Sequence, residues 1–162
     1  MNLRRIAYEA ADTLRKTPLF AKNDIAAIVL EKGDIRAKVQ AEIGRLSRCT
    51  VVSLDRFTPT ATGDDGLYGR TGLIVSVFEK PVVNRAGELD GESAMSPGFD
   101  SSPTILNIAQ AVANALDSTK CEGMNGALFL DEITPVVELI EKDFEGCITC
   151  DVVFTAKDIC IS

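Results

Sequence analysis

Three stretches of the chain carry apolar residues every three or four positions, which is the spacing of one helix face. They span residues 2–16, 35–46 and 103–116. The last is the clearest, since Ile105, Ile108, Val112 and Leu116 would all lie on one side. The pattern therefore predicts three amphipathic helices.

Residues that favour helix ends flank these stretches. Pro18 ends the first helix, because proline cannot continue a helical hydrogen-bond pattern. Asp34 follows Gly33 and is a predicted N-cap for the second. Ser102 is the predicted N-cap of the third, with Pro103 at its first helical position.

Other apolar stretches are rich in β-branched residues and predict strands. The predicted strands are 24–30, 49–58, 70–83, 127–133 and 147–156. The first of these is a short apolar run that also fits a helical turn. The stretch 134–142 fits either a helix or a strand, and its adjacent valines favour a strand.

Two polar, glycine-containing stretches separate these elements. Residues 60–72 read TATGDDGLYGRTG and are predicted to be a long hairpin tip whose glycines provide backbone freedom. Residues 84–102 have no periodicity and predict a long loop, which in a compact domain is either functional or disordered.

The predicted order of elements is α–β–α–β–β–α–β–β. Strands joined by direct turns favour antiparallel pairing, so we expect an α+β fold with a mixed, largely antiparallel sheet. The helices are expected to pack on one face of the sheet, and the two polar stretches to project as long hairpin loops. All 162 residues are expected to form a single domain, residues 1–162.

The amino-acid composition argues against several classes of function. The net charge is −7, which disfavours tight sequence-independent binding to nucleic acid. The chain has no histidine, so it contains no Ser-His-Asp or Cys-His catalytic group of its own. No apolar run approaches the length of about 18 residues typical of a membrane helix, and we expect no membrane partner.

The stretch 60–72 does not match a phosphate-binding loop. Five residues, not four, separate Gly63 from Gly69, and Arg70 replaces the lysine of that motif. A helix N-terminus should follow such a loop, but the residues after Gly72 predict a strand. The stretch is better interpreted as a connection between two strands.

Acidic residues on the two polar stretches are the remaining candidates for a metal site. They are Asp64, Asp65, Glu88, Asp90 and Glu92. Calcium takes six to eight oxygen ligands, more than adjacent acids on a loop supply, so solvated acids are the favoured interpretation. We therefore predict no catalytic, cofactor-binding or metal-binding residues, and no cofactor.

The five cysteines are predicted to be structural free thiols. They are Cys49, Cys121, Cys147, Cys150 and Cys160. Cys147 and Cys150 form a C-x-x-C pair, but residues three apart on a strand point to opposite faces. This pair therefore predicts neither a zinc site nor a redox disulfide.

The second predicted helix is the most basic part of the chain. Arg36, Lys38, Arg45 and Arg48 lie on it or directly after it. They form either a solvated helix face or a contact for an acidic partner.

Three classes of function fit these observations. The first is a structural assembly subunit that projects arms to its neighbours. The second is a small metal-assisted hydrolase that uses the loop acids Asp64, Asp65, Glu88 or Asp90. The third is a small protein-binding adaptor. Because no nucleophile, base and orienting group occur at a recognisable spacing, we predict that the chain is not an enzyme.

The arrangement of elements resembles that of phage tail terminator proteins, also described as minor tail or tail-completion proteins. The resemblance rests on the N-terminal helix, the long-looped strand pair, SPTILNIAQAVANALDS at residues 102–118 and ITPVVELIEKDFEGCITCDVVFTA at residues 133–156. It covers most of the chain and is one of overall pattern.

This resemblance implies a structural role without catalysis. Such proteins form a ring, usually a hexamer, at the head-proximal end of the tail tube, where the ring stops polymerisation and joins the head connector. The implied partners are further copies of the chain, the tail tube protein and the connector protein, in a virion tail assembled in the host cytoplasm. DNA would pass through the lumen without specific binding, and the source would be a phage, a prophage or a tail-derived machine.

Overall fold

Three long antiparallel strands form the centre of the sheet in the computed structural model, which describes residues 3–31, 33–81, 103–121 and 126–161. The elements in chain order are α1 (Arg4–Lys16), α2 (Pro18–Asn23), β1 (Ala27–Val29), α3 (Ile35–Leu46), β2 (Arg48–Gly63), β3 (Gly66–Glu79), α4 (Ile105–Leu116), β4 (Leu128–Ile133), β5 (Val137–Glu138), a 3-10 turn (Lys142–Phe144) and β6 (Ile148–Ile161). The strand order is β1-β2-β3-β6-β4, and β5 also pairs with β6. β1 is parallel to β2, and the other described pairs are antiparallel. The predicted α+β class with a largely antiparallel sheet is confirmed.

The inner face of the sheet is the face covered by α1 and α4. Val52, Val75 and Val152 lie side by side on three neighbouring strands and are fully buried there. The periodic residues of α1 and α4 complete this core: Ile6, Ala10, Leu14, Ile105, Ile108, Val112 and Leu116. Burial of each large aliphatic side chain contributes roughly 1.5–3 kcal/mol, so this layer dominates the stability of the fold.

The outer face is the opposite one, and it carries α3. Val39 and Ile43 of this helix pack on Val51, whose side chain points away from that of its neighbour Val52. Phe144 of the 3-10 turn joins this smaller core. The prediction placed the helices on one face, whereas α3 lies on the other. Apolar periodicity reports that a helix has a buried side, but not which face of the sheet that side covers.

The helix ends agree with the sequence in one case and differ in another. The Asp34 carboxylate accepts a hydrogen bond from the Ala37 N–H at 3.0 Å, which confirms this N-cap. The third predicted helix begins at Ile105, so Pro103 precedes it and does not occupy its first position. Extended Thr104 is the N-cap, and its own N–H donates to Asn107 Oδ1 at 3.0 Å.

A short helix that the sequence did not predict follows α1. Pro18 does end α1, but it also begins α2, because its fixed φ suits a first helical position. Thr17 between the two helices is extended, with ψ at 144°, as is usual before proline.

Several strands are longer or shorter than their apolar patterns. β2 continues to Gly63 and β3 begins at Gly66, so the predicted long tip at 60–72 is strand except for a two-residue turn. β6 continues past 156 to Ile161. Only Val137–Glu138 of the stretch 134–142 is strand. The predicted loop 84–102 lies outside the described residues.

No helix within the described ranges is long and apolar enough to cross a membrane.

Candidate assembly surfaces

The first candidate surface is the distal hairpin, which we define as residues 57–70. Its strands pair as far as Gly63 and Gly66, and Asp64 and Asp65 form the turn. The end of β6 lies beside it, with Leu67 opposite Ile161. Residues 59–65 are all exposed. The distal hairpin is therefore a three-stranded arm that extends beyond the helix-covered part of the sheet.

Two of its glycines are explained by close approach of the neighbouring strand. β2 has irregular register between Leu54 and Phe57 and again after Pro59, which is typical of β-bulges. A Cβ atom on Gly69 would collide with the Thr58 carbonyl oxygen and lie 2.6 Å from the Phe57 ring. A Cβ on Gly72 would lie 2.9 Å from that of Asp55. These glycines, predicted as loop residues, are needed where the bulged strand β2 lies unusually close to β3.

One acid of the turn, Asp65, binds a side chain of the same hairpin. The Tyr68 hydroxyl is 2.8 and 2.7 Å from the two carboxylate oxygens of Asp65. Donation to this carboxylate raises the pKa of Tyr68 to about 12. Among the described residues, no three His, Cys, Asp or Glu side chains are grouped so as to hold a metal ion. Glu88, Asp90 and Glu92, the other predicted candidates, lie outside the described residues.

The second candidate surface is the β4–β5 edge, defined as residues 128–140. It carries five of the eight large apolar side chains that are exposed in the described part of the chain: Phe129, Leu130, Ile133, Val137 and Ile140. Ile140 is 98% exposed and Val137 is 54% exposed. A concentration of exposed apolar residues is typical of an interaction surface.

The first part of this edge is closed to pairing with another strand. Leu128 exchanges backbone hydrogen bonds with Ser118 and Thr119 at 2.8 and 2.9 Å. The Leu130 N–H donates to the Asp117 carboxylate at 3.0 Å. Because these backbone groups are already bonded, contacts at residues 128–130 of the edge must be made mainly by side chains.

The third candidate surface is the β1 groove, a cleft of about 440 Å³ along the other edge of the sheet. α1 contributes Tyr8 and Arg15 to its walls, and α3 contributes Lys38 and Arg45. Arg15 donates to the Ala27 carbonyl oxygen at 2.7 Å, so this cation covers part of the strand edge. Asp24 and Glu31 also line the groove, so its charge is mixed. Leu30, which directly follows β1, is 51% exposed and lines a separate cleft on the outer face.

The basic residues predicted as one helix face have separate roles. Arg36 pairs with Glu141 and Asp143 at 2.8 and 3.2 Å. Arg45 pairs with Asp24 and Glu42 at 2.8 and 2.7 Å, and hydrogen bonds to these two carboxylates raise its pKa. Arg48 lies on β2 and donates to the Pro103 carbonyl. Lys38 is exposed and has no ion pair within the described ranges, so of these four cations it is the one available to an acidic partner.

A buried carboxylate that sequence patterns did not single out lies where α4 begins. Glu79 ends β3, and its carboxylate accepts a hydrogen bond from the Ile105 N–H at 2.6 Å. Burial raises the pKa of Glu79 to about 7, although this hydrogen bond and the nearby Arg48 favour the charged form. Glu79 therefore links the start of α4 to the end of β3 by a hydrogen bond. Its raised pKa lies near neutral pH.

The cysteines are free thiols, and four of the five are buried. Cys147 belongs to the outer core and Cys150 to the inner one, which confirms that the C-x-x-C pair points to opposite faces. Burial raises the pKa of Cys49 to about 12 and that of Cys150 to about 11. Thiols that stay protonated are poor nucleophiles and poor metal ligands.

Comparison with known proteins identifies a shared fold but no family. No protein-family model matches the sequence. No curated protein matches it either. Among solved structures, the chain is similar to a chain of the virion of a native gene transfer agent particle. The TM-score is 0.54 at 19% identity, and the match covers 98% of each chain, so the two share a fold over essentially their full length.

Proposed function

We propose that this chain is a structural subunit of a phage-like tail, a tail terminator acting as one domain over residues 1–162. Copies of it form a ring, a hexamer, at the head-proximal end of the tail tube. The observation that supports this most is the shared fold, over 98% of both chains, with a component of a gene transfer agent virion.

The exposed surfaces fit a ring subunit. A closed ring of head-to-tail contacts needs two different surfaces on each copy. The β1 groove and the β4–β5 edge lie at opposite ends of the strand order and offer such a pair. The distal hairpin extends beyond both, and it is proposed to contact the tail tube protein or the next copy.

In this role the ring stops polymerisation of the tail tube and joins it to the head connector protein. The protein acts in the virion tail, is assembled in the cytoplasm of the bacterial host, and has no membrane partner. DNA passes through the lumen without specific binding, because a chain of net charge −7 offers few phosphate contacts. The role requires neither catalysis nor a cofactor.

The mass of the protein in solution tests whether its copies form a ring. Light scattering at rising concentration, followed by negative-stain imaging, should detect a ring of several copies of the 17.4 kDa chain, either alone or after addition of tail tubes. A protein that stays monomeric in both experiments would contradict the proposed function and favour an adaptor.

A shortened hairpin tests the arm. Removal of Ala61 and Thr62 together with their partners Leu67 and Tyr68 keeps the turn and the alternation of faces. Since the removed strand positions lie outside the helix-covered core, the melting temperature should fall by less than about 4 °C, or about 1 kcal/mol. Completion of tails should be reduced at least about tenfold, a coupling of about 1.4 kcal/mol. A shortened variant that completes tails normally would exclude the arm from the contact.

A further inference from the structure

A cleft on the outer face of the sheet is separate from the surfaces assigned to the ring. We define the outer cleft as the space of about 430 Å³ between α3 and residues 139–144, with β2, β3 and β6 as its floor. None of its lining residues lines the β1 groove, and Leu139 alone also belongs to the β4–β5 edge. A molecule bound in the outer cleft therefore need not displace contacts at the two sheet edges.

The walls of the outer cleft are mainly apolar. Leu30 stands at its mouth and is 51% exposed. Phe78 and Leu139 are partly buried against the outer core, whose Val39 and Phe144 complete the walls. A large aliphatic side chain that enters the cleft would gain apolar contacts on both sides.

Carboxylates outnumber cations at the outer cleft. Arg36 on its wall pairs with Glu141 and Asp143 at 2.8 and 3.2 Å, so two carboxylates share this one cation. Asp151 on the floor is half-buried and forms no ion pair with any described residue. Its strand position is held by Thr134, whose N–H donates to the Asp151 carbonyl oxygen at 2.8 Å. The cleft therefore combines apolar walls with a carboxylate that is available to a cation.

The register of the sheet gives the distance between the apolar and acidic positions. Val51, Ser76 and Asp151 are direct neighbours on β2, β3 and β6, so Val51 and Asp151 lie about 10 Å apart at about 4.8 Å per strand. In an extended segment, side chains two residues apart point to the same face and are separated by about 7 Å. The long stem of a lysine or arginine side chain covers the remaining distance. The cleft thus fits an aliphatic residue and a cation two positions apart.

We propose that the outer cleft binds an extended segment of a different protein, in which a large aliphatic residue and a lysine or arginine stand two positions apart. The aliphatic side chain packs between Val39 and Leu139, and the cation pairs with Asp151. Hydroxyls of Ser53 and Ser76 on the floor exchange hydrogen bonds with the backbone of the bound segment.

A second copy of this chain fits the outer cleft less well. The exposed apolar residues of the β4–β5 edge lie among acids that include Glu132 and Glu138. Phe129 does have a cation beside it, with Lys157 Nζ 5.7 Å from the ring centroid, but Asp131 and Glu132 follow Phe129 closely in the chain. These acids would meet the carboxylates of the cleft, and like charges oppose docking. The occupant is therefore assigned to another protein.

Short peptides test this chemistry on the full chain. The matched peptide is a capped hexapeptide of serine and threonine with one leucine and, two positions later, one lysine. One control peptide has the leucine and lysine adjacent, which puts them on opposite faces, and the other has glutamate in place of lysine. Binding is measured by amide NMR of the isotope-labelled protein, below the concentration at which light scattering detects rings.

The matched peptide should shift the amide signals of Val51, Ser76 and Asp151 saturably. Its dissociation constant should be about 1 mM or lower. Each control peptide should bind at least about threefold more weakly, which is the scale of one partly exposed ion pair.

Variants at the two ends of the cleft separate the charge from the apolar contact. Asp151→Asn should weaken the matched peptide at least about threefold, and Asp151→Lys should make the glutamate peptide the tighter ligand. Leu30→Ser should weaken both of these peptides, because it removes apolar contact at the mouth. Asp12→Asn, at an exposed site on α1, should bind all peptides as the wild type does. If either Asp151 variant loses its fold by circular dichroism, Leu30→Ser remains a test, since Leu30 is largely exposed.

Three results would overturn this docking site. They are no saturable shifts up to about 10 mM peptide, equal binding of the three peptides, and shifts centred away from the outer cleft. If the cleft signals of the wild type instead change with its own concentration, and Asp151→Asn abolishes that change, the occupant is a second copy and the assignment to another protein is wrong. Light scattering decides the ring independently of these results.

Discussion

Strands β2 and β3 form an antiparallel ribbon whose two ends have opposite surroundings. The proximal end lies at Arg48 and Glu79, and the distal end is the hairpin turn. At the proximal end, register is unbroken from Arg48 opposite Glu79 to Leu54 opposite Leu73, and helices cover both faces. At the distal end, two irregularities interrupt the register and residues 59–65 are exposed. The proximal end therefore carries stability, whereas the distal end is available for contacts at little cost to the fold.

Acidic residues show the same contrast. Glu79 at the proximal end is buried against the N-terminus of α4, and its pKa is raised to about 7. Asp64 and Asp65 at the distal turn are exposed. Burial, and not residue type, decides which acids influence stability near neutral pH.

The largest expected effect lies at the proximal end. Val112→Asp places a carboxylate against the fully buried inner core, where a charge without a partner is strongly disfavoured. The free energy of unfolding should fall by about 3–5 kcal/mol, as measured by urea denaturation. Gln110→Asp on the exposed side of the same helix is the matched control and should change it by less than about 1 kcal/mol. Equal effects of the two variants would contradict the assignment of the inner face.

A pH-dependent effect is expected at Glu79. Its pKa is raised in the folded state, so the stability that protonated Glu79 contributes is fully present below its unfolded value near 4.5 and is lost as pH rises through about 7. Glu79→Gln can still accept the hydrogen bond from Ile105 but does not ionise.

Melting temperatures between pH 4.5 and 8 measure this effect. Relative to the wild type, Glu79→Gln should gain stability as pH rises, up to about 3 kcal/mol at pH 8, at about 1.4 kcal/mol per pKa unit. The exposed control Glu145→Gln should follow the wild-type profile. Parallel profiles for all three proteins would mean that the Glu79 carboxylate is solvated.

The smallest effect is expected at the distal turn. Replacing both Asp64 and Asp65 by alanine should change the melting temperature by less than about 4 °C, because both are exposed. Calcium, magnesium or manganese should shift the melting temperatures of wild type and variant equally. A metal-dependent rise that the substitutions abolish would instead identify a metal site, since a ligand of the folded state stabilises it.

The sequence determined the elements with strong periodicity. α1, α3 and α4 occur where apolar residues recur at helical spacing, and Asp34 caps α3 as its type and place predicted. Alternation within β6 correctly separated Cys147 from Cys150. Such features depend on neighbours along the chain, and these are visible in the sequence.

Features that depend on contacts between distant parts of the chain were decided only by the tertiary structure. Residues 60–72 resemble a loop because glycines and small polar residues are frequent there, but pairing of β2 with β3 and of β3 with β6 makes them strand on both sides of the turn. The outer position of α3, the burial of Glu79 and the exposure of Ile140 depend on residues distant in sequence. An apolar residue at the edge of a sheet has the same local pattern as one at its centre, so only the strand order distinguishes a buried core from a surface that other chains can reach.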